Sequence, residues 1–133
     1  MIQVEAGARL EPTVYRALRQ AVGWPPPSMN DLDLQRALDT TWNVAARDEA
    51  GEVVGIGRLL DDGALYATIW DMIVRPDLQR RGIGHMLLEP LLARARSRTI
   101  VALVAAPSGR SLYERYGFRQ ESGGGVGMLL RPG

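Results

Sequence analysis

The sequence predicts an α/β (α+β) domain, a mixed and mostly antiparallel sheet flanked by helices in the order β-α-α-β-β-β-α-β-α-β-β. Three observations predict it. Hydrophobic periodicity switches from helical spacing in residues 11–38 to strand-like runs in residues 42–74. Two turn sequences, Asp48-Glu49-Ala50-Gly51 and Asp61-Asp62-Gly63, join those runs so tightly that only an antiparallel meander can result. A broad apolar helix then separates the third run from a β-branched strand at 99–105. With 133 residues and no linker, repeat or low-complexity stretch, residues 1–133 read as one domain.

Residues 2–6 form a short first strand. From Glu11 to Val22, Val14, Leu18, Ala21 and Val22 share a helical face, and Pro12 occupies the first-turn position that tolerates proline. Gly23-Trp24-Pro25-Pro26-Pro27 ends that helix. Asn30-x-x-Asp33 then resembles a capping box, with Leu34, Ala37 and Leu38 on one face of the second helix. Strands follow at 42–47, 52–60 and 64–74. Past Pro76 a helix starts near Gly82 and runs to about Ser97. Ile83, Met86, Leu87, Leu88, Leu91 and Leu92 give it too wide an apolar face for the surface, and Pro90 removes one of its hydrogen bonds. Arg110 to Tyr116 is a short helix stopped by Gly117. The tail holds a hairpin around Gly123-Gly124-Gly125, with a last strand from Val126 to Arg131.

Composition narrows the chemistry. The chain has no cysteine, one histidine (His85) and no lysine, all 16 basic residues being arginine. Thiolate nucleophiles, cysteine or multi-histidine metal sites, Schiff bases and P-loop nucleotide hydrolysis are thereby excluded, and no metal is expected. The net charge of +1, with arginine spread along the chain, does not indicate a nucleic-acid surface. No apolar run suits a bilayer, so no membrane association is expected. MIQVEAGARL lacks the charged and apolar regions of a signal peptide, and the expected location is the cytoplasm.

The stretch Ile69 to Gly84 carries the chemistry. A strand ends at Pro76, an arginine-rich loop follows, and Gly82 and Gly84 open a helix. Unpaired N–H groups in a first helical turn, the positive end of the helix dipole and a close-approaching glycine backbone together make an anion cradle, with Arg80 and Arg81 at its rim. The same glycines also suit tight packing of helix on sheet. A dinucleotide fingerprint is a poor fit, because its third glycine would fall at Leu87.

Gln79-Arg80-Arg81-Gly82-Ile83-Gly84 resembles the Q/R-x-x-G-x-G/A motif by which GNAT acetyltransferases hold the pyrophosphate of acetyl-CoA. Leu112-Tyr113-Glu114-Arg115-Tyr116-Gly117-Phe118 resembles the superfamily's L-Y-E-x-x-G-F helix. The element order is similar to that superfamily's over the whole chain. Residues 67–71 and Val126-Gly127-Met128 resemble small bacterial enzymes related to plastid serotonin N-acetyltransferases. The resemblance implies an N-acetyltransferase that moves an acetyl group from acetyl-CoA to a primary amine of a small molecule, arylalkylamine-like or other. A peptide or protein N-acetyltransferase and a CoA-binding module without efficient catalysis are the alternatives.

It further implies that backbone groups of Met72, Ile73 and Val74 pair with the pantetheine arm. Tyr113 becomes the general acid for the leaving thiolate, against a reading in which its ring only packs. The asparagine many members carry seven residues earlier is Ala106 here, and Ser111 or Ser108 is the substitute. His85 contacts phosphate or solvent. Many relatives place a glutamate at the position of Trp70. Asp71 either orients the substrate ammonium or is a strand carboxylate bonded to neighbouring backbone. Trp70 and Trp42 are candidates for a substrate pocket, or core residues. Relatives commonly form homodimers, and the last strand would be the edge for one here.

Overall fold

The computed structural model describes residues 1–121 and 123–132. Five strands form one sheet in sequential order: β1 (Gln3–Ala6), β2 (Trp42–Arg47), β3 (Val53–Asp61), β4 (Tyr66–Val74) and β5 (Ile100–Leu103). β1 to β4 pair antiparallel, and β5 joins β4 in parallel. The helices are α1 (Pro12–Ala21), α2 (Asp31–Thr40), α3 (Ile83–Ala95) and α4 (Arg110–Arg115). The α/β class and the order of elements through α4 are those the sequence predicts.

The sheet has a core on each face. On one, Tyr15 and Leu18 of α1 and Leu34 and Leu38 of α2 pack with Ala45, Ile56 and Ile73. On the other, Ile83, Leu87, Leu88, Leu91 and Ala95 of α3 pack with Val44, Ala46, Leu59, Ala67 and Ile69. The alternation Val44, Ala45, Ala46 across the two cores follows from the two-residue period of a strand. α2 starts where the asparagine side chain at Asn30 accepts from the Asp33 N–H at 2.9 Å, satisfying one orphan donor of the first turn. Pro90 lies within α3 and leaves the carbonyl four residues before it without its usual donor.

The turns rest on aspartates. Asp48 Oδ1 accepts from the N–H groups of Ala50 and Glu52, and Asp62 Oδ1 from those of Ala64, Leu65 and Tyr66. Next to the second turn, Arg98 donates through Nε and Nη2 to both oxygens of Asp61, at 2.7 and 2.9 Å. Their side chains are only 13% and 10% exposed. This fork ties the segment entering β5 to the β3–β4 turn, at the end of the sheet opposite the cleft described below.

The tail differs from expectation. Residues 119–121 and 123–132 form no strand, so neither the hairpin nor the last strand is formed among the described residues; Ser122 lies outside them. Glycine at 123, 124, 125 and 127 raises the entropy lost on ordering and supplies no side chains to bury. Val126, Met128 and Leu130 therefore stay exposed, and the hairpin lacks the apolar face it would need. β5 is left as an edge strand.

The Asp61–Arg98 fork has a defined pH signature. The Arg98 guanidinium lowers the Asp61 pKa from 3.8 to about 2. Its stabilisation is thus complete above the unfolded value, and is lost as pH falls through the folded one. Asp61→Asn should cost about 1–2 kcal/mol in urea unfolding at pH 7. The gap between variant and parent should close between pH 4 and pH 2, the window set by those two values. A gap that persists at pH 2 would assign the loss to packing.

Candidate active site

Strand β4 is broken in the middle by a bulge. Ile56 of β3 lies opposite Ile73, but Arg58 lies opposite Trp70, so Gly57 alone faces both Asp71 and Met72. Asp71 has φ of 53°, in the left-handed region, which aspartate tolerates better than most residues. A Cβ at Gly57 would sit 2.6 Å from Met72 Sδ and 2.7 Å from a Leu91 methyl, so the position admits only glycine without repacking. The extra residue moves the following side chains to the other face. Ala67 and Ile69 point to α3 before the bulge, Met72 and Val74 after it, and Ile73 points to the α1–α2 face.

Beyond the bulge β4 and β5 part. Their parallel pairing runs from Tyr66–Ile100 to Ile69–Leu103 and stops. From Trp70 to Val74 the β4 edge on that side is unpaired, and a cleft of about 690 Å³ opens between the strands. Trp70, Asp71, Met72, Ile73, Val74 and Gln79 line one wall. Val104, Ala106, Ser108, Gly109 and Tyr113 line the other. α1 and the segment after it add Arg19, Val22 and Trp24, and Arg131 of the tail reaches the same space.

Tyr113 sits where the strands diverge. Its ring is buried, edge-on to Phe118 at 5.9 Å between centroids. Burial raises its pKa above the ordinary 10, so the phenol stays protonated at neutral pH. Tyr113 thus packs its ring and lines the cleft at once.

Asp71 is not a free carboxylate. Tyr15 donates to Oδ2 at 2.6 Å, Arg58 Nη1 to the same oxygen at 2.9 Å, and Arg19 Nη1 to Oδ1 at 3.3 Å. Burial and the hydrogen bond to Asp71 raise the Tyr15 pKa. Arg58 also donates to Thr41 Oγ1 and to the Ala37 carbonyl, which clamps the end of α2 to the sheet. Of the two expected roles, the strand carboxylate is nearer to what forms, with side-chain partners in place of backbone.

The loop before α3 turns through two left-handed residues, Arg80 at 66° and Gly82 at 80°. Arg80 and Arg81 are exposed at its rim, and Gly82 caps the helix with open space around it. Ile83 is a core residue, so only its backbone can face a ligand. Gly84 has a different reason to be glycine: an added Cβ would stand 3.0 Å from Leu112, on α4. Gln79 donates its side-chain amide to the Val74 carbonyl at 3.0 Å, occupying one backbone group expected for pantetheine.

One expectation is corrected, and two pairs of alternatives are narrowed. His85 turns toward α4, with Nδ1 3.1 Å from the Tyr116 hydroxyl and Nε2 3.4 Å from Arg115, because the first turn of α3 packs there. Ser111 is outside the cleft, whereas Ser108, two residues past Ala106, lines it. Trp42 packs under Arg94 on the α3 face at 4.8 Å, and the indole that joins Trp70 in the cleft is Trp24. Tyr15, Arg19, Arg58 and Arg131 were not anticipated. A signal existed for one pair: Arg58 and Asp71 are lone charges inside two adjacent apolar strands, which favours their being partners. Among the described residues no three histidine or acidic side chains gather as a metal site requires.

Side chains of Asp71 and Arg58 are each 12% exposed, so removing one charge strands the other. Asp71→Asn should lower unfolding stability by about 3 kcal/mol. Denaturant unfolding that matches the parent within experimental error would show that the cluster does not hold α1 and α2 to the sheet.

Comparison with known proteins agrees with this geometry. The acetyltransferase (GNAT) domain family matches residues 39–120. An uncharacterized N-acetyltransferase, ycf52, of Pyropia yezoensis is 32% identical over 119 residues, covering 86% of this chain and 68% of that protein. Serotonin N-acetyltransferase 2, chloroplastic, of Oryza sativa subsp. japonica is 32% identical over 110 residues, covering 78% of this chain and 55% of that protein. The solved structure of a GNAT family acetyltransferase, SP0256, from Streptococcus pneumoniae superposes with a TM-score of 0.83 at 29% identity, covering 99% of this chain and 98% of that one. A parted β4 and β5, a glycine-opened helix and a buried tyrosine at the divide are thus the features of a chain that belongs to the GNAT N-acetyltransferase family.

Proposed function

We propose that residues 1–133 use acetyl-CoA to acetylate a primary amine of a small molecule. The observation that carries this reading is the parting of β4 from β5 with Tyr113 at the divide. The unpaired β4 edge at Met72 and Ile73 offers backbone N–H and C=O groups to an amide-containing arm laid between the strands, as a third strand would use them. The N–H groups at the start of α3, with Arg80 and Arg81, suit the pyrophosphate, and Ser108 is placed to supply a polar contact near Ala106. Trp24 and Trp70 offer apolar faces to the acceptor, in keeping with an arylalkylamine-like compound.

In the transfer, the neutral amine attacks the thioester carbonyl carbon. A C–N bond forms, the C–S bond breaks, and the proton on the Tyr113 oxygen passes to the departing sulfur. The nitrogen loses its surplus proton to water in the cleft, and the tyrosinate is reprotonated from solvent. Asp71 acts through position here: held by two guanidiniums, it fixes the bulge that keeps the strands apart.

Tyr113→Phe keeps the buried ring and removes the proton. Its kcat should fall about 10-fold or more, while acetyl-CoA affinity by calorimetry and thermal stability change little. Because burial raises the Tyr113 pKa, the parent's advantage over the variant should persist up to pH 10 and vanish only above it. Equal kcat in the two proteins would reduce Tyr113 to packing.

A homodimer is the second part of the proposal. Exposed Val126, Met128, Leu129 and Leu130 lie on the same chain as the open β5 edge, and burying both in a second copy would cover them. Light scattering should give twice the chain mass, and Leu130→Glu should shift it toward one chain. A single-chain mass for the parent at high concentration would contradict this.

A further inference from the structure

We infer that the acceptor amine carries an anionic group of its own, bound by Arg19 and Arg131 beside the two indoles. The inference rests on the transfer reading and deepens it by naming the class of acceptor. Only three of the described residues lining the cleft are charged: Arg19, Asp71 and Arg131. Asp71 does not offset the two arginines, because Arg58 behind it already matches its charge at 2.9 Å. The space beside the indoles is thus positive, which opposes entry of a simple ammonium and favours a compound whose positive charge is balanced.

The arginines have donors to give. Arg19 spends Nε on the Pro25 carbonyl and Nη1 on Tyr15 and Asp71, and Nη2 has no protein partner among the described residues. Its guanidinium is held over the Trp24 ring at 5.5 Å and lines the same cleft as Trp70, so the Nη2 donors are left for an acceptor bound there. Arg131 makes no hydrogen bond or ion pair among the described residues, yet it reaches the same cleft from the tail. Two guanidiniums lining one cleft with two indoles are the chemistry of an aromatic compound with a carboxylate. The same positive charge favours the neutral form of the acceptor nitrogen, the form that attacks, where among the described residues no lining carboxylate is free to take its proton.

The test separates this inference from the transfer reading. Calorimetry on the full chain compares phenylacetate with 2-phenylethanol, which match in size and lack an amine. Phenylacetate should bind at least about tenfold more tightly, and the difference should shrink as salt rises. Arg131→Gln should weaken phenylacetate more than 2-phenylethanol. Turnover with acetyl-CoA should then favour tryptophan over tryptamine by a similar factor, and O-phosphoethanolamine against ethanolamine reports whether phosphate substitutes for carboxylate. Equal binding of the two probes, or preferred acetylation of tryptamine, overturns the inference and leaves acetyl transfer standing. Tight phenylacetate binding with no amine acetylated supports the anion subsite and removes the transfer reading instead.

Discussion

The aspartate in the middle of β4 governs the rest of the molecule. Placing a non-glycine residue in the left-handed region costs about 1–2 kcal/mol. Here the cost is offset by three polar contacts to Asp71, from Tyr15, Arg19 and Arg58. Together they fix the bulge, and the bulge rotates the second half of β4 out of register with its first half. Pairing with β5 ends there, and the cleft opens there. The same three contacts draw α1 and β3 onto one carboxylate, and Arg58 ties α2 to it through the Ala37 carbonyl, so docking of the helices and the bulge share one cluster.

Glycines complete the arrangement by different means. Gly57 is small because Met72 and Leu91 fill the space where a side chain would go, and Gly84 because α3 and α4 approach closely there. Gly82 has open space, and its backbone angle is the reason for it. Two glycines of one short motif therefore serve different ends: one turns the chain into the helix, and the other lets Leu112 bring α4, and with it Tyr113, against α3. The phenol at the divide is in this sense positioned by a missing side chain on another helix.

The cleft is lined by a buried phenol and, among the described residues, by no uncommitted carboxylate. Tyr113 is kept protonated by burial, while the only carboxylate lining the cleft among the described residues is committed to two arginines. Under the proposed function, a positive cleft favours the unprotonated state of an amine and leaves its proton to water, while aromatic faces and guanidiniums select the molecule that enters.

The sequence by itself determined the elements and the two motifs. Periodicity and turn chemistry are local, so β1 to β5 and α1 to α4 were legible in short windows, as was Asn30 as the cap of α2. The motifs at 79–84 and 112–118 were legible because each is contiguous. The tail misled, because Val126 to Arg131 carries the apolar run Met128-Leu129-Leu130 after a glycine-rich turn, and whether such a run pairs depends on a partner strand. The bulge, the partners of Asp71, the choice of the core over the cleft for Trp42 and the turning of His85 toward Tyr116 were decided by tertiary structure. Each depends on residues tens of positions apart meeting across two strands or two helices. A local pattern holds no record of that meeting: the one-residue shift that directs Asp71 toward Tyr15 leaves the alternation of β4 readable on either side of it.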